Sequence, residues 1–182
     1  MAIGGDPAPA VRAVEACRRA MADFEKGPDI AGLRAVKDRL LALGLWEPAM
    51  SVHAGLADDA ARRGVLSEAR GLYATAIGCA EAGGGQWLGM NILRRLAIAE
   101  LKAGLPQQAV DNLRHALDRL KSVKLLNARL VEAECLDAMG DGYAAMGERT
   151  RAEECWKDAA ARQEGLERGN AARKIRAKLS AS

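Results

Sequence analysis

Two adjacent arginines, Arg94 and Arg95, carry the most suggestive chemistry in the sequence, because a guanidinium can grip a carboxylate through two parallel hydrogen bonds. That is recognition chemistry. The groups from which catalysis is usually built are sparse. The two histidines, His53 and His115, stand 62 residues apart, and of the four cysteines, Cys17, Cys79, Cys135 and Cys155, the nearest two are 20 apart. Neither spacing makes a metal site. No GxxxxGK, GxSxG or HExxH run occurs. Gly83-Gly84-Gly85 lacks the third glycine of a dinucleotide fingerprint and reads as a connection between elements. The expectation is a chain with no catalytic residues, no metal and no cofactor.

The whole chain has 182 residues, the size of one domain, so a single continuous fold over 1–182 is expected. Lys and Arg number 27 against 24 Asp and Glu, a net charge of +3, too even for a dedicated nucleic-acid binder. Hydrophobic residues make up 49%, yet Phe24, Trp46, Tyr73, Trp87, Tyr143 and Trp156 are the only aromatics. The apolar content is therefore mostly Ala and Leu, which favour helix over strand. The longest run without a charge, Ala82 to Leu93, has twelve residues and contains four glycines. A membrane span needs roughly 20. The amino-terminal residues show no basic lead and no apolar stretch, and the dispersed cysteines read as reduced thiols. A cytoplasmic protein is expected.

Glycine and proline then punctuate the chain, at Lys26-Gly27-Pro28, Gly44 to Pro48, Arg63-Gly64, Gly83 to Gly85, Gly104-Leu105-Pro106 and Met146-Gly147. Between them the pattern predicts helices at 8–26, 29–43, 47–63, 66–82, 87–103, 106–122, 127–146 and 149–164, and a basic one at about 170–179. Pro28, Pro48 and Pro106 sit where helices start, and Ser67 and Asn127 are candidate caps. The class is all-α.

The breaks are in register. Gly64 is followed by Ala69, Tyr73 and Ala76; Gly104, at the same offsets, by Ala109, Leu113 and Ala116; Gly147 by Ala152, Trp156 and Ala159. A weaker copy runs Gly27, Gly32, Val36, Arg39, and the glycine intervals are 37, 40 and 43 residues. A glycine can end a helix in a left-handed turn, and small residues on one face of the next helix admit a close neighbour. With Leu136, Met139, Gly140 and Tyr143 ahead of Gly147, this pattern resembles the tetratricopeptide repeat family. The second copy adds Leu56 and Ala57, with His53 in the opening apolar place; the third adds Leu93, Leu96 and Ala97, with Glu100 where the family has Tyr. The period exceeds the family's usual length of roughly 34 residues, and the closing proline is missing.

The resemblance implies a right-handed α-α superhelix, a solenoid of about four helical hairpins (8–43, 47–82, 87–122 and 127–164) with a capping helix at about 166–179. It also implies a concave groove lined by first helices. The groove positions are then Ser51, Ala54, Gly55, Asp58 and Arg62; Asn91, Arg94, Arg95, Ile98 and Lys102; Glu134, Asp137, Ala138, Asp141 and Ala145. Its middle would be basic and its carboxyl-terminal end acidic, suited to an extended peptide. The carboxylate clamp of chaperone-binding members is not expected, since only Arg95 among the matching places (Ala54, Asp58, Arg95, Glu134 and Ala138) could serve. A non-catalytic adaptor that binds another protein or peptide is therefore favoured, with no membrane partner; a homodimer stays open. The alternative is a regulatory helical-repeat protein, sensing a peptide or binding nucleic acid through its basic end, where 162–182 carry a net +4. Scarce Phe and Tyr argue against base stacking. His53 reads as a packed core residue, His115 as partly exposed, and Trp46 and Trp87 as residues at loop-to-helix junctions.

Overall fold

In the computed structural model, which describes residues 8–21 and 29–181, the chain is helical. Among the described residues there are nine helices and no strand: α1 (Ala8–Met21), α2 (Ile30–Ala42), α3 (Trp46–Arg62), α4 (Leu66–Ala82), α5 (Gln86–Lys102), α6 (Pro106–Leu120), α7 (Leu126–Ala145), α8 (Arg149–Gly165) and α9 (Gly169–Ala181). The expected boundaries hold to within two residues from α3 to α8. Of the break at Lys26-Gly27-Pro28, and of the part of the first helix expected beyond Met21, nothing is described.

One turn recurs. Gly44, Gly64, Gly84, Gly104 and Gly147 have φ between 64° and 78°, and Glu167 has φ 57°. The first four stand 20 residues apart, as do the last two. In each turn the residue after the left-handed one donates its N–H to the carbonyl five positions back, as Val65 does to Ala60 and Leu105 to Glu100, each at 2.9 Å. This closes the preceding helix. The carbonyl of that same residue then accepts the first bond of the next helix, from Ala69 to Val65 and from Ala109 to Leu105. One residue thus serves two helices, which fixes the angle between them.

The observed helix starts correct the expected caps. α4 begins after Val65 and α7 after Leu125, neither with a side-chain cap, so Ser67 and Asn127 lie inside their helices and cap nothing. Asp29 does cap, accepting from the Gly32 N–H at 3.0 Å.

The α6–α7 connection departs from the rule. It has no left-handed residue; Val123 donates to the Leu120 carbonyl at 2.8 Å instead. α7 has 20 residues where α3, α4, α5 and α8 have 17. The three extra residues account for the 43-residue interval between Gly104 and Gly147.

The chain divides into two compact units, residues 1–85 and 86–182. In the first, α3 packs along α4 and also meets α2 and α1. Leu33, Leu40, Val52, Ala57, Ala69 and Tyr73 fill its core, with His53 buried 2.8 Å from the Ala49 carbonyl. In the second, α5 pairs with α6 and α7 with α8, while α7 also meets α5 and α6 and α9 packs on α8. Leu136, Tyr143, Trp156 and Ile175 belong to one of its buried clusters. Ala69, Ala109 and Ala152 are wholly buried, as small residues at close helix contacts must be. His115 is exposed and Trp87 half-buried, while Trp46 is 40% exposed. No helix among the described residues is long and apolar enough to cross a membrane.

Candidate functional site

Inside two of the hairpins an acid on the first helix holds a ring on the second. Asp58 accepts the Tyr73 hydroxyl at 2.5 Å, and Asp141 accepts the Trp156 indole N–H at 3.1 Å; both pairs span fifteen residues. At the same offset the α5–α6 hairpin has Ile98 and Leu113, which have no such group. There the polar link moves. Glu100, 2% exposed, accepts from the Asn112 amide at 2.7 Å, a bond that offsets part of the cost of its burial. The departure from the repeat pattern at Glu100 is thus matched by Asn112.

In the second unit the remaining charges of the first helices meet one another. Arg94 of α5 lies 3.2 Å from the Glu134 carboxylate of α7 and donates to Asn91 Oδ1 at 2.9 Å. Arg168, just before α9, reaches the other Glu134 oxygen at 3.5 Å. Lys178 of α9 donates to Asp137 at 2.7 Å and to Asp141 at 2.8 Å, and its ammonium lies 5.8 Å from the centre of the Trp156 ring. Five of the fifteen expected groove residues, Asn91, Arg94, Glu134, Asp137 and Asp141, therefore join two ionic clusters on α5, α7 and α9. Arg95 and Lys102 lie on α5, half-buried and exposed respectively. Asp58 and Arg62 belong to α3 in the first unit, where Arg62 reaches Asp59 at 3.4 Å.

The acidic end of the expected groove is thus already covered by a cation of the same chain. Lys178 and Arg168 were not among the expected residues. The available signal was spacing: Lys178 follows Asp137 by 41 residues and Asp141 by 37, about one repeat period, and Glu134 follows Arg94 by 40. Burial pushes the Asp137 carboxyl above its ordinary range despite the lysine, while the two carboxylates hold the Lys178 ammonium above its own.

The basic carboxyl-terminal segment is engaged in the same way. Arg162 pairs with Glu132 at 2.7 Å and Arg176 with Glu164 at 2.5 Å, and Arg173 bonds Asn170. Arg173 and Lys174 remain exposed.

All four cysteines are free and buried. Burial raises each thiol, Cys135 to about 12 and Cys155 to about 11, so these two stay protonated near neutral pH. Among the described residues no group of three or more His, Cys, Asp or Glu side chains could hold a metal ion. No family model and no curated protein matches the chain.

Proposed function

We propose that this protein is a non-catalytic interaction module, a tetratricopeptide-like solenoid that holds a peptide of another protein against the first helices of its hairpins. The observation that carries the reading is the row of half-buried charges on α5, α7 and α9, spaced by one repeat period. A face that must only meet water needs no such order. A partner acid would be received by Arg94 and Arg95, and a partner cation by Asp137 and Asp141 in exchange for Lys178. Exchange suits moderate affinity, with charge fixing register and on-rate more than strength.

The test is to select peptides from a displayed random library against the full chain and map the winners by amide chemical shifts. The account expects peptides carrying both signs of charge, shifts concentrated on α5, α7 and α9, and about tenfold weaker binding in Arg95→Glu with helical content unchanged. Arg94 is less suitable for reversal, because Glu134 would then face a second carboxylate. Selection of nothing, or shifts confined to α6 and α8, would overturn the assignment.

A further inference from the structure

The irregular α6–α7 connection borders a cleft of about 390 Å³ in the second unit, lined by Lys121, Val123, Lys124, Arg129, Glu132, Arg162, Gly165 and Leu166. Its volume is in the range that holds small organic ligands. Four of its eight lining residues are cations and one is a carboxylate. That carboxylate is spent, since Glu132 receives Arg162 at 2.7 Å. Lys121 is held by Asp118 at 2.7 Å. Lys124 and Arg129 face no carboxylate among the described residues, whereas Lys121 and Arg162 beside them in the cleft are paired.

Two further features favour an anion here. Arg129 stands in the first turn of α7, whose amino end has no side-chain cap and so keeps its positive partial charge. The end of α8, which supplies Gly165 and Leu166, brings little opposing charge, because the carbonyls of residues 162–164 already accept N–H groups from Leu166, Arg168 and Glu167. Val123 and Leu166 offer apolar surface beside the cations.

We propose that this cleft binds a small phosphate ester, with the phosphate held by Lys124 and Arg129 and the carbon skeleton against Val123 and Leu166. A fork of guanidinium donors beside a mobile ammonium matches a phosphate's several oxygens, and a skeleton of sugar size fits the volume. The site is separate from the α5–α7–α9 charges, so it stands or falls independently of the peptide-binding reading.

The experiment titrates the full chain with glucose 6-phosphate and with pyrophosphate, with glucose as the uncharged control, following backbone amides and calorimetric heat. The expected result is saturable shifts at residues 121–129 and 162–166 with both phosphates and none with glucose. Lys124→Gln with Arg129→Gln is expected to weaken binding about tenfold or more. Arg173→Gln with Lys174→Gln, which removes the same charge from exposed positions on α9, is expected to leave affinity unchanged, and Glu132→Gln to strengthen it. No saturable shift with either phosphate, or equal weakening by the two double variants, would overturn the proposal, the second because it would reveal attraction to net charge alone.

Discussion

The α3–α4 and α7–α8 hairpins make the same bond with different rings. In the first, Asp58 receives the Tyr73 hydroxyl and the residue sixteen before the ring is Ala57; in the second, Asp141 receives the Trp156 indole and the corresponding residue is Gly140. A Cβ placed on Gly140 would lie 2.5 Å from Trp156 Cδ1 and Nε1, closer than real atoms approach. The larger ring has therefore displaced the methyl group across from it. Between these two hairpins the larger ring goes with the smaller facing residue; the α5–α6 hairpin has Ala97 with the smaller Leu113. Asp141 also extends outward to Lys178 of α9.

The largest way to break this comparison is Gly140→Ala. Overcrowding costs about 1–3 kcal/mol, against the roughly 1 kcal/mol that alanine gains over glycine inside a helix. The atoms struck belong to a buried indole, so a net loss of stability is expected by chemical denaturation. Gly71→Ala in α4 is the control, since its Cβ would meet nothing within 4 Å. The same substitution there should stabilise by up to about 1 kcal/mol.

A middle-sized effect separates the two acids. Asp141→Asn weakens two charge-assisted bonds, to Trp156 and Lys178, made by a carboxylate half-open to water, and is expected to cost about 1 kcal/mol. It should also speed amide exchange in α9 while leaving α5 and α6 unchanged. If α9 exchanges at the unaltered rate, Lys178 does not hold it.

The smallest effect is the pH dependence of Lys178. Its folded value lies above the ordinary 10.5, so its stabilisation is complete below that pH and disappears as pH rises through the folded value. The pair is about a third exposed, so Lys178→Met should cost about 1 kcal/mol or less. That gap is expected to stay constant from neutral pH to about 10 and to close above it. Asp137 acts in the same sense but in the acid range: burial raises its carboxyl, so stability falls as pH rises through its titration and acidification restores it.

Much of the local structure was legible because its causes are local. Gly64, Gly104 and Gly147 announced their turns through the φ that glycine alone adopts easily, and the Ala-aromatic-Ala spacing announced the buried faces. Ser67 misled because capping is usually a polar side chain's work, whereas the turn's own backbone bonds leave the cap position to Val65; Asn127 misled because α7 starts earlier, after Leu125 in an irregular connection. The partners of the charged residues were hidden for a different reason. Arg94 with Glu134 and Lys178 with Asp137 meet only after neighbouring helices have packed, so each charge alone reads as a free binding group. The cleft was out of reach too, since residues 121–129 and 162–166 become neighbours only through the pairing of α7 with α8.

The central claim, that the α3–α4 and α7–α8 hairpins are copies in register whose facing sizes compensate, is tested most directly by a double-mutant cycle of Gly140→Ala and Trp156→Tyr, read by denaturant unfolding. Compensation predicts that the second change rescues the first, leaving the double variant more stable than the sum of the two single losses by about 1 kcal/mol or more. Losses that add to within about 0.5 kcal/mol would mean that Gly140 and Trp156 do not share one space, and the register would be contradicted.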